Sequence, residues 1–216
     1  MPWELLCGLP DAEREVVLAA MRVRRFGRGD AVFLEGQRGD SLYFISAGHA
    51  AVRATTPAGA AVMLSILGPG QAFGELALLK RSSTRTASVE ALEQLNTRVL
   101  HRDAFIALCG AHPAVERLLS TLLAARVDRL SRHLVEALHL TVEQRLVRRL
   151  VETARTYGNT GVVVLPLTQE DVAQLAGTTR PTANAVLNDL RDTGLIEFSR
   201  GKIRILDPGG LARRAG

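Results

Sequence analysis

Residues 167–207 read LTQEDVAQLAGTTRPTANAVLNDLRDTGLIEFSRGKIRILD, and two short helical patterns in this stretch meet at Gly177. Thr168 stands where an N-cap side chain accepts a backbone N–H, with Asp171 three residues on. Gly177 can take the left-handed conformation that ends a helix, and Thr179 can cap the second helix. Pro181 falls in that helix's first turn, where a missing N–H costs little. Beyond them LIEF and KIRIL, joined by Ser199-Arg200-Gly201, predict a two-stranded wing. The order helix, tight turn, helix, wing predicts a winged helix-turn-helix. A further helix, VEQRLVRRLVETARTYG, and the short run VVVLP precede it.

A helix-turn-helix presents the first residues of its second helix to base edges in the major groove, and its flanks grip phosphate. TTRPTAN, residues 178–184, suits that task. Arg180 has the forked guanidinium that pairs with guanine, Asn184 has the amide that pairs with adenine, and Thr178, Thr179 and Thr182 can donate to phosphate. Thr168 and Gln169 at the start of the first helix, and Arg200 and Lys202 at the wing tip, complete the candidate DNA contacts. From residue 141 onward there are 11 basic and 8 acidic residues, a balance of +3. A protein-binding helical hairpin fits that charge too. The joint presence of caps, turn and wing favours duplex DNA.

Upstream the texture is different. From Val23 to about Phe105, short runs rich in Val, Ile, Leu and Phe alternate with glycine-bearing turns, the spacing of an antiparallel barrel or jelly roll. Gly39-Asp40 and Ala58-Gly59 read as hairpin turns, Gly68-Pro69-Gly70 as a break, and Glu75 to Lys80 as a short helix. After Pro113, AVERLLSTLLAARVDRLSRHLVEAL contains no Gly or Pro and predicts a long helix. Leu123, Val127, Leu130, Leu134 and Ala137 alternate spacings of four and three along it. That pattern fits a coiled-coil seam between two copies, and it also fits a helix laid on its own barrel.

Composition agrees with a globular chain: of 216 residues 47% are hydrophobic and 23% charged, with a net charge of +5. No apolar run approaches the roughly 20 residues that span a bilayer. The amino terminus, MPWELLCGLPDAERE, carries acids where a secretory signal carries bases and reads as an amphipathic helix, so a cytoplasmic protein with no membrane partner is expected. Cys7 and Cys109 are too few and too far apart for a disulfide framework or cluster site. His49, His101, His112, His133 and His139 lack metal-ligand spacing, so no metal and no cofactor are expected. No nucleophile and base pairing stands out, and an enzyme, such as a nucleotide hydrolase built on the barrel, has no support in the residues.

Residues 73–89, FGELALLKRSSTRTASV, leave two readings of Glu75 and Arg85. One is a solvated surface ion pair. The other is an anion cradle: Gly74 turns the backbone, Glu75 opens a one-turn helix whose N–H groups face an anion, Arg85 neutralises a phosphate and Thr86 adds a hydroxyl. Like charge keeps Glu75 off the phosphate, and its carboxylate suits a neighbouring hydroxyl such as a ribose 2′-OH.

Phe73-Gly74-Glu75-Leu76-Ala77, followed by Arg85-Thr86-Ala87, resembles the phosphate-binding cassette of the cyclic AMP receptor protein and Fnr family of bacterial transcription regulators. The resemblance extends through GDSLYFISAG, the long helix and the winged motif, and the closing LARRAG resembles tails of actinobacterial members. It implies an α+β architecture: an effector-sensing jelly roll over 1–112, a dimerisation helix over 113–140 and a winged helix-turn-helix over 141–216. It assigns Glu75 to a ribose hydroxyl, Arg85 and Thr86 to a cyclic phosphate, and supporting positions to Gly74, Leu76 and Ala77. Cyclic AMP or another cyclic nucleotide is the implied regulatory ligand. A DNA operator, a second copy of the chain and RNA polymerase are the implied partners. Leu130 stands where nucleotide-responsive members place a purine-contacting threonine, followed by the more typical Ser131. Pro181 and Ala185 replace a common glutamate and arginine. A regulator of the same architecture that ignores cyclic AMP therefore stays open as the alternative.

Overall fold

The computed structural model describes residues 3–79, 84–158 and 161–215, with the backbone alone at 4, 5 and 77. The chain opens with helices α1 (Glu4–Cys7) and α2 (Asp11–Ala19). Strands β1 (Arg22–Phe26), β2 (Ala31–Phe33), β3 (Ser41–Ala47), β4 (Ala50–Thr55), β5 (Ala61–Leu67) and β6 (Ala72–Phe73) follow. A single turn of helix, α3 (Leu76–Leu79), precedes β7 (Ser88–Ala91) and β8 (Leu95–His101). Two four-stranded sheets result, ordered β1-β8-β3-β6 and β2-β7-β4-β5, the double sheet of a jelly roll. The sheets enclose Phe26, Tyr43, Ile45, Leu67, Phe73, Val89, Leu95 and Val99, alternate residues of their strands.

The Ala58-Gly59 turn joins neighbouring strands as expected, with Gly59 at φ 83°. Gly39-Asp40 does not make a hairpin. It carries the chain from β2 in one sheet to β3 in the other, because turn residues specify a change of direction and not the partner. The strand run also stops short of Phe105: β8 ends at His101 and α4 (Arg102–Ala111) begins at once. The expected end of the short helix, Lys80, lies outside the described residues.

Helix α5 runs from Pro113 to His139. Its first turns bury Ala114, Val115, Leu118 and Leu119 with Trp3, Leu6, Phe44, Leu100 and Phe105, and Leu123 packs against the edge of this cluster. Trp3 is fixed there by its indole N–H, which donates to the Ile45 carbonyl at 2.7 Å. Packing on its own domain thus accounts for the start of α5. Further along, Val127, Leu130, Leu134 and Leu138 are 61–70% exposed within the single chain.

The chain divides into two compact units, residues 1–52 with 67–131, and 53–66 with 132–216. The second unit contains α6 (Val142–Tyr157), β9 (Val163–Leu165), α7 (Gln169–Ala176), α8 (Arg180–Asp192), β10 (Ile196–Ser199), β11 (Lys202–Ile205) and α9 (Pro208–Arg214). Its core is Leu146, Leu150, Leu165, Leu167, Val172, Leu187, Leu190, Ile196, Ile203, Ile205 and Leu211, all buried. The predicted caps are present. Thr168 accepts from Asp171 N at 3.1 Å, Thr179 accepts from Thr182 N, and Gly177 ends α7 at φ 63°. The two-stranded wing is in fact a three-stranded sheet, β10-β11-β9, since Val163–Leu165 pairs with Ile203–Ile205. In the same unit Arg53 donates to Gln174 Oε1 at 2.6 Å and to Asp171 Oδ1 at 2.7 Å.

A cluster of charges braces the end of α5 against α6. Arg149, only 8% exposed, donates to Glu136 at 2.6 Å and to Glu152 at 2.8 Å. His133 Nε2 lies 3.4 Å from a Glu152 carboxylate oxygen. The His133 contact foremost, and Arg149 with it, hold the Glu152 carboxyl down to about 2 against the opposing effect of burial. A depressed carboxylate stabilises the fold fully above its ordinary value of 4.5 and progressively less as the pH falls to about 2. Denaturant titrations across this range are expected to show wild type more stable than Glu152→Gln at pH 6, with the gap closing by about pH 2. A gap that does not change with pH would contradict the brace.

Candidate functional site

Gly74, Glu75 and Arg85 come together in the first unit, though not as a surface ion pair. Arg85 lies just before β7, its segment tied to the β2–β3 connection: Arg85 N donates to Gln37 O at 2.7 Å and Gly36 N to Arg85 O at 2.8 Å. Its side chain turns inward and is 7% exposed. Nη1 donates to the Ser41 carbonyl at 3.0 Å and the Gly74 carbonyl at 3.2 Å. Nε is buried and has no hydrogen-bond partner among the described residues. Burial pulls the guanidinium pKa below its ordinary value, while Tyr43, Asp40 and Glu75 pull it up. Arginine remains a cation throughout the physiological range, so an incompletely paired buried charge results.

Backbone geometry makes room for this cation. Gly74 sits at φ 84°, a conformation that a side chain disfavours, and a Cβ there would come within 2.7 Å of Arg85 Nη1 and 2.9 Å of Ser41 O. A Cβ on Gly39 would lie 2.8 Å from Arg85 Nε. Glu75 follows directly, its carbonyl accepting from Leu78 N at 2.9 Å in the turn of α3. Its carboxylate is 12% exposed and lies 3.9 Å from Arg126 Nε of α5, which also donates to Ala72 O at 2.9 Å. Sequence reasoning missed Arg126. Its spacing on α5 gives no hint that it reaches Glu75, since the pairing is set by how the helix lies on its domain.

Of the remaining effector candidates, Thr86 and Leu76 are exposed and Ala77 is described by its backbone alone. Leu130, one turn beyond Arg126, is 66% exposed, and Ser131 is exposed beside it.

In the second unit the DNA candidates cluster where α7 meets α8. Thr179, Arg180 and Thr182 are exposed at the start of α8, and Thr178 is half-buried in the turn. Thr168 is exposed, with its hydroxyl engaged by Asp171 at 2.7 Å, and Gln169 is half-buried. Arg200 and Lys202 flank Gly201, at φ 72°, and both are exposed. Asn184 is half-buried, with Oδ1 sealed from solvent and unpartnered among the described residues, so contact with a base requires its side chain to rotate outward. The exposed Arg180 end of α8 is the part of the helix that can enter a groove.

A jelly roll with a buried arginine, joined in one chain to a winged helix-turn-helix, is the architecture of a DNA-binding regulator. Residues 23–112 match the family model of the cyclic nucleotide-binding domain, and residues 144–214 match that of the Crp-like helix-turn-helix domain. The chain is 33% identical over 194 residues to the CRP-like cAMP-activated global transcriptional regulator of Mycobacterium tuberculosis, covering 88% of this chain and 86% of that protein. It is 29% identical to the cyclic AMP receptor protein of Thermus thermophilus, over 93% and 91% of the two chains. Among solved structures, the Thermus thermophilus catabolite activator protein aligns over 98% of this chain and 97% of its own at 28% identity and TM-score 0.57. A CRP/FNR-family transcriptional regulator from the same organism aligns over 90% and 98% at 26% identity and TM-score 0.75. The chain belongs to the Crp/Fnr family of transcription regulators.

Proposed function

We propose that the chain acts as a homodimer whose affinity for a DNA operator is set by a cyclic nucleotide held at Gly74, Glu75, Leu76, Ala77, Arg85 and Thr86, cyclic AMP being the first candidate. The observation that carries this reading is Arg85: a buried guanidinium that, among the described residues, has no hydrogen-bonded carboxylate and an unpartnered Nε, inside a domain of the cyclic nucleotide-binding type. Such a cation gains most from a ligand phosphate. The Mycobacterium tuberculosis relative is described as cAMP-activated, which supports the same choice. The chain works in the cytoplasm, as a regulator and not an enzyme, with RNA polymerase as a further partner.

Leu130 and Ser131 occupy the place expected for the base. Leucine has no polar atom for a purine amine, and an amine buried against it without a partner costs about 1 to 3 kcal/mol. Phosphate and ribose therefore supply most of the affinity, and discrimination between adenine and guanine is weak. The same leucine favours the second reading, a family member that does not answer to cyclic AMP. Calorimetry of the full chain with cyclic AMP and cyclic GMP separates the two. Binding of both with similar affinity and without turnover supports the first, and binding of neither overturns it.

The DNA side has its own test. Arg180→Ala is expected to cost roughly 1 to 3 kcal/mol on the operator and to relax preference at one guanine per half-site. Lys202→Ala, a phosphate contact, weakens all sequences alike and lowers the salt slope by about 1. Fluorescence titrations over a salt series with operator and scrambled duplexes read both quantities. Equal losses on the two duplexes for Arg180→Ala would remove it from base recognition.

A further inference from the structure

We infer that Phe33 is a positioning residue for the anion site: its ring face fixes the plane of the Arg85 guanidinium so that the Nε–Nη2 edge is presented to an anionic group. This deepens the proposed function and rests on it.

Arg85 Cζ lies 4.0 Å from the centre of the Phe33 ring and 5.8 Å from that of Tyr43. Both distances fall within the roughly 6 Å over which a cation is drawn to an aromatic face. The Phe33 ring is itself held, with its centroid 5.7 Å from Tyr43 and 5.8 Å from Phe73, and those two rings stack at 5.1 Å. Gly39 and Gly74 close in on the guanidinium from elsewhere, and the Ser41 and Gly74 carbonyls engage Nη1. Among the described residues the Arg85 side chain makes no other hydrogen bond. The unpartnered edge is therefore Nε–Nη2, the pair of parallel N–H groups with which arginine grips a phosphate.

The ring compensates the charge without neutralising it, which a carboxylate at hydrogen-bond distance would do. Asp40 and Glu75 act on Arg85 only through longer-range attraction. Immobilising a long side chain normally opposes ligand binding. Here packing on Phe33 has frozen that side chain before any ligand arrives. Leucine at position 33 keeps an apolar filler but has no quadrupole to hold the cation, whereas tyrosine keeps the face.

The test uses the full chain as wild type, Phe33→Leu and Phe33→Tyr. The arginine Nε–H resonance of Arg85, identified by its loss in Arg85→Lys, is expected upfield in wild type and Phe33→Tyr, because the ring face shields it. In Phe33→Leu it moves to the position of an exposed arginine. Affinity for cyclic AMP falls about tenfold in Phe33→Leu, ~1.4 kcal/mol, and is retained in Phe33→Tyr. An unmoved resonance, or wild-type affinity in Phe33→Leu, overturns the inference. If wild type binds neither cyclic AMP nor cyclic GMP, the proposed function fails, and titration of the same resonance with inorganic phosphate decides the role of Phe33 separately. A phosphate-induced shift in wild type and Phe33→Tyr that is lost in Phe33→Leu upholds it. No shift in wild type, or an equal shift in all three, overturns it.

Discussion

Replacing Arg85 by alanine is expected to lower the proposed cyclic nucleotide affinity by at least about 100-fold, ~2.7 kcal/mol, and to leave a folded protein. The ligand phosphate loses its charged partner in a site where water cannot fully substitute. Folding is affected far less, for two opposing reasons. The Ser41 and Gly74 carbonyls each lose a donor, a cost of about 1 kcal/mol apiece. Against this, the unfolding equilibrium no longer includes the desolvation of a guanidinium that is 7% exposed with Nε unpaired. Calorimetry with cyclic AMP and thermal unfolding without ligand measure the two effects independently. Wild-type affinity in Arg85→Ala would dismiss the cradle. A folded-state collapse in the same variant would make Arg85 a structural cation instead of a ligand-binding one.

Much of the second unit was legible because its signals are local. A threonine, an aspartate three residues on and a glycine at the helix end act within one turn of chain, and Thr168, Asp171 and Gly177 behave as that chemistry requires. Asp207 and Pro208 carry the same kind of signal for α9, with Asp207 accepting from Gly210 N at 2.8 Å. The start of α4 has no such cap, since His101 makes no side-chain cap hydrogen bond, and Asp103 in the first turn is a weaker signal. The third strand of the wing sheet was hidden for another reason. VVL has strand propensity, but its pairing with Ile203–Ile205 is a choice of distant partner.

The candidate site divides along the same line. Gly74, Glu75 and Arg85 are close in sequence and carry a recognisable spacing. Phe33, Gly39, Ser41 and Arg126, which shape the surroundings of that arginine and glutamate, come from β2, the β2–β3 connection, β3 and α5. Only the closing of the two sheets and the docking of α5 bring them in. Each is an ordinary residue in its own segment, so composition and periodicity give no reason to single it out.

Leu134→Glu is expected to convert the protein from dimer to monomer at micromolar concentration and to lower operator affinity by about 100-fold or more. Within one chain Val127, Leu130, Leu134 and Leu138 are 61%, 66%, 61% and 70% exposed, and the first three continue the alternating spacing of Leu123 on α5. A stripe of this size on one helix is an unmet burial demand, each leucine being worth roughly 1.5 to 3 kcal/mol when fully covered. In the proposed homodimer a second copy of the same helix would cover it in register, leucine against leucine. A glutamate at the centre of that seam meets its own twin, so two like charges would have to be desolvated together. The subunit itself loses little, because Leu134 is already 61% exposed in the single chain. Loss of the dimer then removes the linkage between two helix-turn-helix units, and with it the gain from binding two half-sites about one helical turn apart. Sedimentation velocity, circular dichroism and operator titration on the same sample distinguish this from misfolding. A Leu134→Glu protein that stays dimeric with wild-type operator affinity places the dimer contact elsewhere and leaves the α5 stripe for another partner.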